Sequence, residues 1–468
     1  MTVRKTKIKK PREMTVRFNP IRGVNDKLSP EAGGYAYAQI MENFDVSDGT
    51  LVPADGFDLL DEYVVPEGKM PRKCYLYKKY KTDGTPDHRL IVYFDDKYLY
   101  TCPFAGGTLT KISGVTFDSD PLGVLYKYNN QNVMIFAKSG GGLCIYNGST
   151  VTNVPNAPEI TSMCIHFERL FVTTAGAENA LWFSDDFDPA NWNVSLSEAG
   201  FIEMNDPAGE LLKVVSFGDY LYVFRTYGIT RISAYSDQRQ FSATNLFLSS
   251  GKIFADSVMV CGDCIIFVAT DGMYRFDGVS TQKISDAFYD RIDPDYPYCK
   301  GQYYNGYAYV RVKVGYNAAA AAEIIKLNPK TLEVTFLNGS MLSDFLTVDC
   351  DGKYKLYGAT ARFNQLCVLN QKDKLLYGAK LKMVWENGES DFGVPVQKTL
   401  KKLSFYSKAD ATAILFADGV KHTYKVKGSD KPVVLKPNLK GVRFKLRFEA
   451  REVTTRIASP ELQLEYYL

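Results

Sequence analysis

Histidine and tryptophan are scarce in this chain, with three of each in 468 residues. His88, His166 and His422 stand far apart, and no HxH, HExxH or Cys/His cluster with zinc spacing occurs. A zinc centre or a histidine-based triad therefore has no support. No GxxxxGK[ST] or GxGxxG sits between a strand and a helix, which removes the usual phosphate cradle. No apolar run approaches the ~20 residues that span a membrane, and the N-terminus lacks the hydrophobic core of a secretion signal.

The residues that could carry chemistry read more simply as structure. Nine cysteines are scattered along the chain. An odd number without a secretion signal points to reduced thiols packed as small apolar groups. Cys261 and Cys264 match CxxC, but they flank a hairpin turn and do not precede a helix, so packing is the default reading. Carboxylates gather at Asp185, Asp186 and Asp188 and again between Asp290 and Asp295. Paired acids can hydrolyse glycosides across a pocket, yet both groups sit beside Pro and aromatic residues, as solvent-facing loops do. The ligand alternation of an EF-hand is absent. The expectation is a non-enzymatic protein with no catalytic residues, cofactor or metal.

What is abundant is strand material. Aromatics make up 13% of the chain, with 32 Tyr and 28 Phe, and 36 Gly and 20 Pro punctuate it throughout. That is the composition of many short strands joined by tight turns. The formal net charge is +3 but uneven. Arg4, Lys5, Lys7, Lys9, Lys10 and Arg12 form a basic N-terminal arm, and residues 372–468 carry 19 basic against 11 acidic side chains. A basic region of this kind suits nucleic acid or an acidic partner, or is a solvated face. For the arm, disorder and docking on a neighbouring subunit remain alternatives, and its six basic residues are the predicted contact residues.

From about residue 70 a loose repeat appears: a strand of aromatic and β-branched residues, a tight turn, a second strand, then a third ending near Asn-Gly or Asp-Gly. Leu90–Phe94 with Tyr98–Tyr100 is one copy, and Asn132–Phe136 with Leu143–Gly148 is another. The clearest copy is Ile265–Ala269, Thr270-Asp271-Gly272, then Met273–Phe276. A weak seventh copy spans Phe345 to Leu369. Repeats of roughly 40–50 residues with three or four strands each predict propeller blades. The fold class expected is all-β: a β-propeller of about six or seven blades with a C-terminal β-sandwich-like region. The boundaries expected are a basic arm over 1–15, an N-terminal β segment over 16–69, the propeller over 70–370 and an antiparallel β domain over 371–468. The alanine run Ala318–Ala322 is expected to be a small hairpin loop, with no function assigned.

Several segments resemble the packaged-DNA stabilisation or tail nozzle proteins of bacteriophages. Gly23-Val24-Asn25, Asn43–Val46 and Asp48–Pro53 with Gly56 are similar to that family's opening. Phe183–Trp192 resembles its "S-x-x-x-x-P-x-x-W" element, Phe217–Arg225 with Gly228-Ile229 its "f-G-d-x-L-x-V-F" element, and Ile266–Gly278 its "D-G-v-y-x-f-d-G" element. These motifs follow one another in order from 16 to 300, while the part beyond is alike only in being strands. The Asp-box of sialidase-type propellers is missing. The resemblance implies a structural virion protein of a phage tail or head–tail junction, a nozzle or connector repeated around the tail axis. It would be made in the host cytoplasm and reside in the virion tail, with no membrane contact. Its implied partners are other copies of itself in a ring, a portal or adaptor protein, tail fibres or spikes, and packaged DNA in the channel. A receptor- or glycan-binding propeller of the adhesin or depolymerase type is the alternative.

Overall fold

The computed structural model describes residues 10–25, 27–32, 34–138, 141–174, 179–235, 237–288, 299–313 and 322–467. Six self-contained four-stranded sheets are present, and a seventh four-stranded unit, 300–337, belongs to a nine-stranded sheet. Numbered along the chain, blades 1 to 5 occupy 71–111, 123–154, 162–203, 211–248 and 259–283. Blade 6 is 300–337 and blade 7 is 342–370. Each is an antiparallel meander, and the first strands of all seven surround one axial cavity.

Blades stacked around an axis are covered on both faces, so their middle strands need no polar alternation. Leu90–Phe94 and Ile265–Ala269 are buried at every position. Outer strands meet solvent, and Val151–Val154 buries little more than its last residue. The turns follow the hairpin rule that two-residue loops need positive φ. Asn129-Asn130, Asn305-Gly306 and Asp351-Gly352 all adopt it.

The N-terminal segment does not form a unit of its own. Strand β1 (Arg12–Arg17) begins inside the stretch expected to be an arm. With β3 (Phe44–Ser47) and β4 (Thr50–Pro53), it joins a seven-stranded sheet with the strands Lys398–Ser407 and Ile457–Tyr466. The β3–β4 hairpin turns at Asp48-Gly49, where the sequence signals it. Strand β2 (Ala38–Glu42) pairs in parallel with the outer strand of blade 6 and antiparallel with Met383–Asn387. One sheet thereby runs from the propeller into the sandwich. Strand β5 (Gly56–Leu59) is the fourth strand of blade 7 and closes the ring from the N-terminal side. A Cβ at Gly56 would lie 1.7 Å from the Leu375 carbonyl oxygen, so this crossing requires glycine.

The residues after 380 complete a two-sheet sandwich. Trp385, Leu403, Phe405, Leu415, Phe448 and Leu464 meet between its sheets, in a core that continues into Ile266, Val310 and Ile325 of blades 5 and 6. A buried charge cluster pins the same junction. The Lys326 ammonium donates to Asp45 at 2.7 Å and to Asp55 at 2.9 Å, Lys374 also pairs with Asp55, and the Thr335 hydroxyl donates to Asp45. Burial works against the charge on Lys326, but the two carboxylates outweigh it and hold its pKa above the ordinary lysine value. Burial likewise opposes ionisation of Asp55, and Lys326 and Lys374 overcome it.

Candidate functional site

Of the predicted contact residues, Arg4, Lys5, Lys7 and Lys9 lie outside the described residues. Lys10 is exposed, and Arg12 opens β1 opposite Tyr466. The root of the arm is therefore a strand of the sandwich sheet, at the corner where the C-terminal strand also finishes. The Ala318–Ala322 run falls outside the described residues except for Ala322, which begins a strand of blade 6.

The axial cavity has a volume of about 490 Å³ and takes lining residues from the first strand of every blade. Three lysines enter it, Lys73 from blade 1, Lys213 from blade 4 and Lys300 from blade 6. Lys300 sits 3.2 Å from Asp120 and 3.6 Å from Asp344. Burial disfavours its charge, but these carboxylates more than compensate and raise its pKa. Asp344 is more enclosed. Burial dominates there and pushes its pKa up, although Lys300 is close and the Cys74 amide donates to it at 2.9 Å. Lys213 is desolvated, which lowers its pKa. Asp256 opposes that shift and Lys73 adds to it. Among the described residues neither Lys73 nor Lys213 has a carboxylate within 4 Å, although Asp256 and Asp344 line the same cavity. Sequence reasoning missed these lysines. The signal was a lysine in the first strand of three repeats, visible only once the repeats are aligned blade by blade.

The histidines are dispersed. His88 contacts the Lys79 carbonyl through Nδ1 at 3.1 Å and lies 3.5 Å from Asp351. His166 Nδ1 meets the Ser216 hydroxyl at 2.8 Å, but its Nε2 is buried without a partner, so no carboxylate orients the ring as a triad would. Cys261 and Cys264 are buried at the blade 5 turn, where burial raises both thiols. Among the described residues no three His, Cys, Asp or Glu side chains are placed to hold a metal. No helix there is long and apolar enough to cross a membrane.

The Asp185–Asp188 cluster is wired into the blade 3 loop. Asp185 accepts from the Asn191 amide at 2.9 Å and from the Glu198 backbone at 3.0 Å. Buried Arg169 bridges Asp186 at 2.6 Å and Glu198 at 2.8 Å. Burial raises the Asp186 pKa; Arg169 counters it, while Glu198 and Glu168 reinforce it. The second group, Asp290–Asp295, lies outside the described residues.

No protein-family model and no curated sequence matches the chain. Solved structures give likenesses of fold. BamB from Moraxella catarrhalis shares 13% identity, covering 68% of this chain and 96% of that one, with a TM-score of 0.41. BBS1N, solved in complex with ARL6DN, shares 12% over 67% and 95% with a TM-score of 0.43. Raptor from Chaetomium thermophilum shares 11% over 68% of this chain and 29% of that one, with a TM-score of 0.46. At such identities only the propeller is common ground.

Proposed function

We propose that this chain is a non-catalytic structural subunit of a bacteriophage tail or head–tail junction. In this reading it is a nozzle or connector part that assembles around the tail axis, helps retain and channel packaged DNA, and anchors neighbouring tail components. The observation that carries the reading is mechanical: a closed ring and a basic, open-edged sandwich share one sheet and one core. Such a body transmits load without hinging, and it leaves strand edges and a basic arm for partners. The motifs behind the resemblance also have structural jobs. Phe183–Trp192 is the clasped blade 3 loop, Phe217–Ile229 holds the second strand of blade 4 with the turns on either side of it, and Ile266–Gly278 the central hairpin of blade 5.

A glycan-binding tail adhesin is the second reading, because exposed Phe167 and Phe187 lie beside the Asp186–Glu198 pair. Negative-stain imaging with a mass distribution across a concentration range separates the two. Closed rings of fixed copy number with a central channel are expected. Particles that stay monomeric and bind a glycan would overturn the connector reading in favour of the adhesin.

A further inference from the structure

We propose that two copies of this chain associate head to tail, the acidic, aromatic-tipped rim of blades 3 and 4 on one seating against the lysine-lined strand edges of the sandwich on the next. The proposal rests on the ring reading above and names the contact that would build the ring.

The first half of the contact is on one face of the propeller. In each four-stranded blade, the first and third turns leave from the same face. On blades 3 and 4 that face carries Phe167, Phe187, Leu196, Tyr220 and Tyr235, all exposed. Leu196 is 85% exposed and Phe187 71%, an arrangement that a solvated turn does not need. Phe167 and Phe187 also adopt φ of 51° and 55°. Glycine or asparagine fits that left-handed region, and a bulky side chain is strained there. They form one patch, because the Phe187 amide donates to the Glu168 carbonyl at 3.2 Å and the Phe167 and Tyr235 rings stand 5.4 Å apart. Glu168, Asp186, Asp188, Glu198 and Asp219 belong to the same turns and their immediate flanks, where they outnumber Arg169 and Arg239. Strained, exposed aromatics inside an acidic rim have the makeup of a contact centre.

The second half is on the sandwich. Strands Val420–Val426 and Ser429–Leu435 follow one another in the chain and form the outer edges of its two sheets. Lys421, Lys425, Lys427, Lys431 and Lys436 are exposed along them, and among the described residues none has a carboxylate within 4 Å. Val420 and Val434, 60% and 48% exposed, supply apolar surface between the charges.

Complementary charge selects a second copy as the occupant. The sandwich core runs into blades 5 and 6 and β2 joins its sheet to blade 6, whereas the aromatic patch is carried by blades 3 and 4. Among the described residues the strands that carry the two surfaces do not pair with each other. A contact between unlike surfaces propagates, which is how cyclic rings form. Nucleic acid would satisfy the lysines and leave the aromatic rim uncovered.

The test uses the full chain in sedimentation velocity and light scattering at low and high salt. Phe167→Asn with Phe187→Asn suits the local backbone, so the fold is expected to survive with a melting temperature no lower than that of the wild type. Lys421→Glu with Lys425→Glu alters only exposed side chains. Each double variant alone is expected to weaken self-association at least tenfold. Mixed in equal amounts, they should form capped one-to-one dimers, because each retains the half the other lacks. Salt should weaken the wild-type assembly. Wild-type rings that persist in both variants would overturn this contact and leave the ring reading standing. A wild-type chain that stays monomeric at every concentration would overturn both. Loss of glycan binding in the phenylalanine variant would assign the patch to the adhesin reading instead.

Discussion

The ring and the sandwich solve the same problem, what to do with strand edges and charges, in opposite ways. In the ring every blade is flanked by neighbours, and β5 arrives from the other end of the sequence to fill the last place. One of its interior charges is matched as closely. Arg225, fully buried, donates to both oxygens of Asp206 at 2.7 and 2.6 Å and to the Met204 and Gly209 carbonyls. The sandwich keeps two outer strands open, and among the described residues the exposed lysines along them, Lys421, Lys425, Lys427, Lys431 and Lys436, have no carboxylate within 4 Å. Closed edges and matched charges such as Arg225 give the ring rigidity, whereas open edges on the sandwich leave capacity for assembly.

The largest expected effects test whether these halves are separate at all. Trp385→Ala in the sandwich and Phe57→Ala in the ring-closing strand each remove a fully buried aromatic, at a cost of about 3–5 kcal/mol. Because one sheet and one core cross the junction, both should lower the same single unfolding transition. Tryptophan placement makes this readable. Trp182 and Trp192 lie in or beside the third strand of blade 3, so fluorescence in the Trp385→Ala variant reports the ring alone. A fluorescence transition separated from that seen by far-UV circular dichroism would mean that the ring and sandwich unfold independently.

Next in size is the charge cluster that pins the junction. Lys326→Ala leaves Asp45 and Asp55 without their shared cation in a buried site, which costs about 3 kcal/mol or more. Adding Asp45→Asn and Asp55→Asn should recover part of it. The pH dependence has a defined sign. The Asp55 pKa is lowered in the fold, so its stabilisation is complete above the ordinary carboxylate value and is lost as pH falls through the folded one. The Lys326 pKa is raised, so its share is present below the ordinary lysine value and is lost as pH rises through the folded one. Denaturant titrations across pH should give the wild type a broad plateau between these limits. If Lys326→Ala loses as much stability at the acid end as at neutrality, the cluster is not the junction's pin.

How much of this was legible in the sequence depends on the distance between partners. Turns such as Asp48-Gly49, Asn305-Gly306 and Asp418-Gly419 are local, and each forms where its dipeptide stands. The blades are legible because their middle strands are continuous apolar runs within about 40 residues. Ring closure was not, because Gly56–Leu59 meets a strand about 300 residues away, and nothing in four residues encodes that partner. For the same reason residues 16–69 read as one segment, while the structure divides them among four sheets. The strained aromatics of blade 3 were equally hidden: Phe187 lies within a motif that reads as a loop, and only φ and exposure distinguish it.

The smallest effect belongs to a single histidine of the ring and sharpens the contrast from the other side. His166 spends one ring nitrogen on Ser216 and buries the other without a partner. Burial lowers its pKa, opposed by Glu168 and Asp219, so the folded ring prefers it neutral. The unfolded chain takes up the proton below about pH 6.5. Below that point the unfolded state binds more protons than the folded one, so this group makes stability fall as pH falls and is without effect well above it. His166→Gln should therefore flatten the slope of unfolding free energy between about pH 7 and pH 5. The change is bounded by about 1.4 kcal/mol per unit of pKa difference. An unaltered slope would mean that the ring tolerates the imidazolium, through water reaching Nε2 or a rearranged turn at Phe167. The blade 3 rim would then be softer than the rest of the closed ring, and the left-handed backbone at Phe167 would be a consequence of that softness rather than a strain held by the fold.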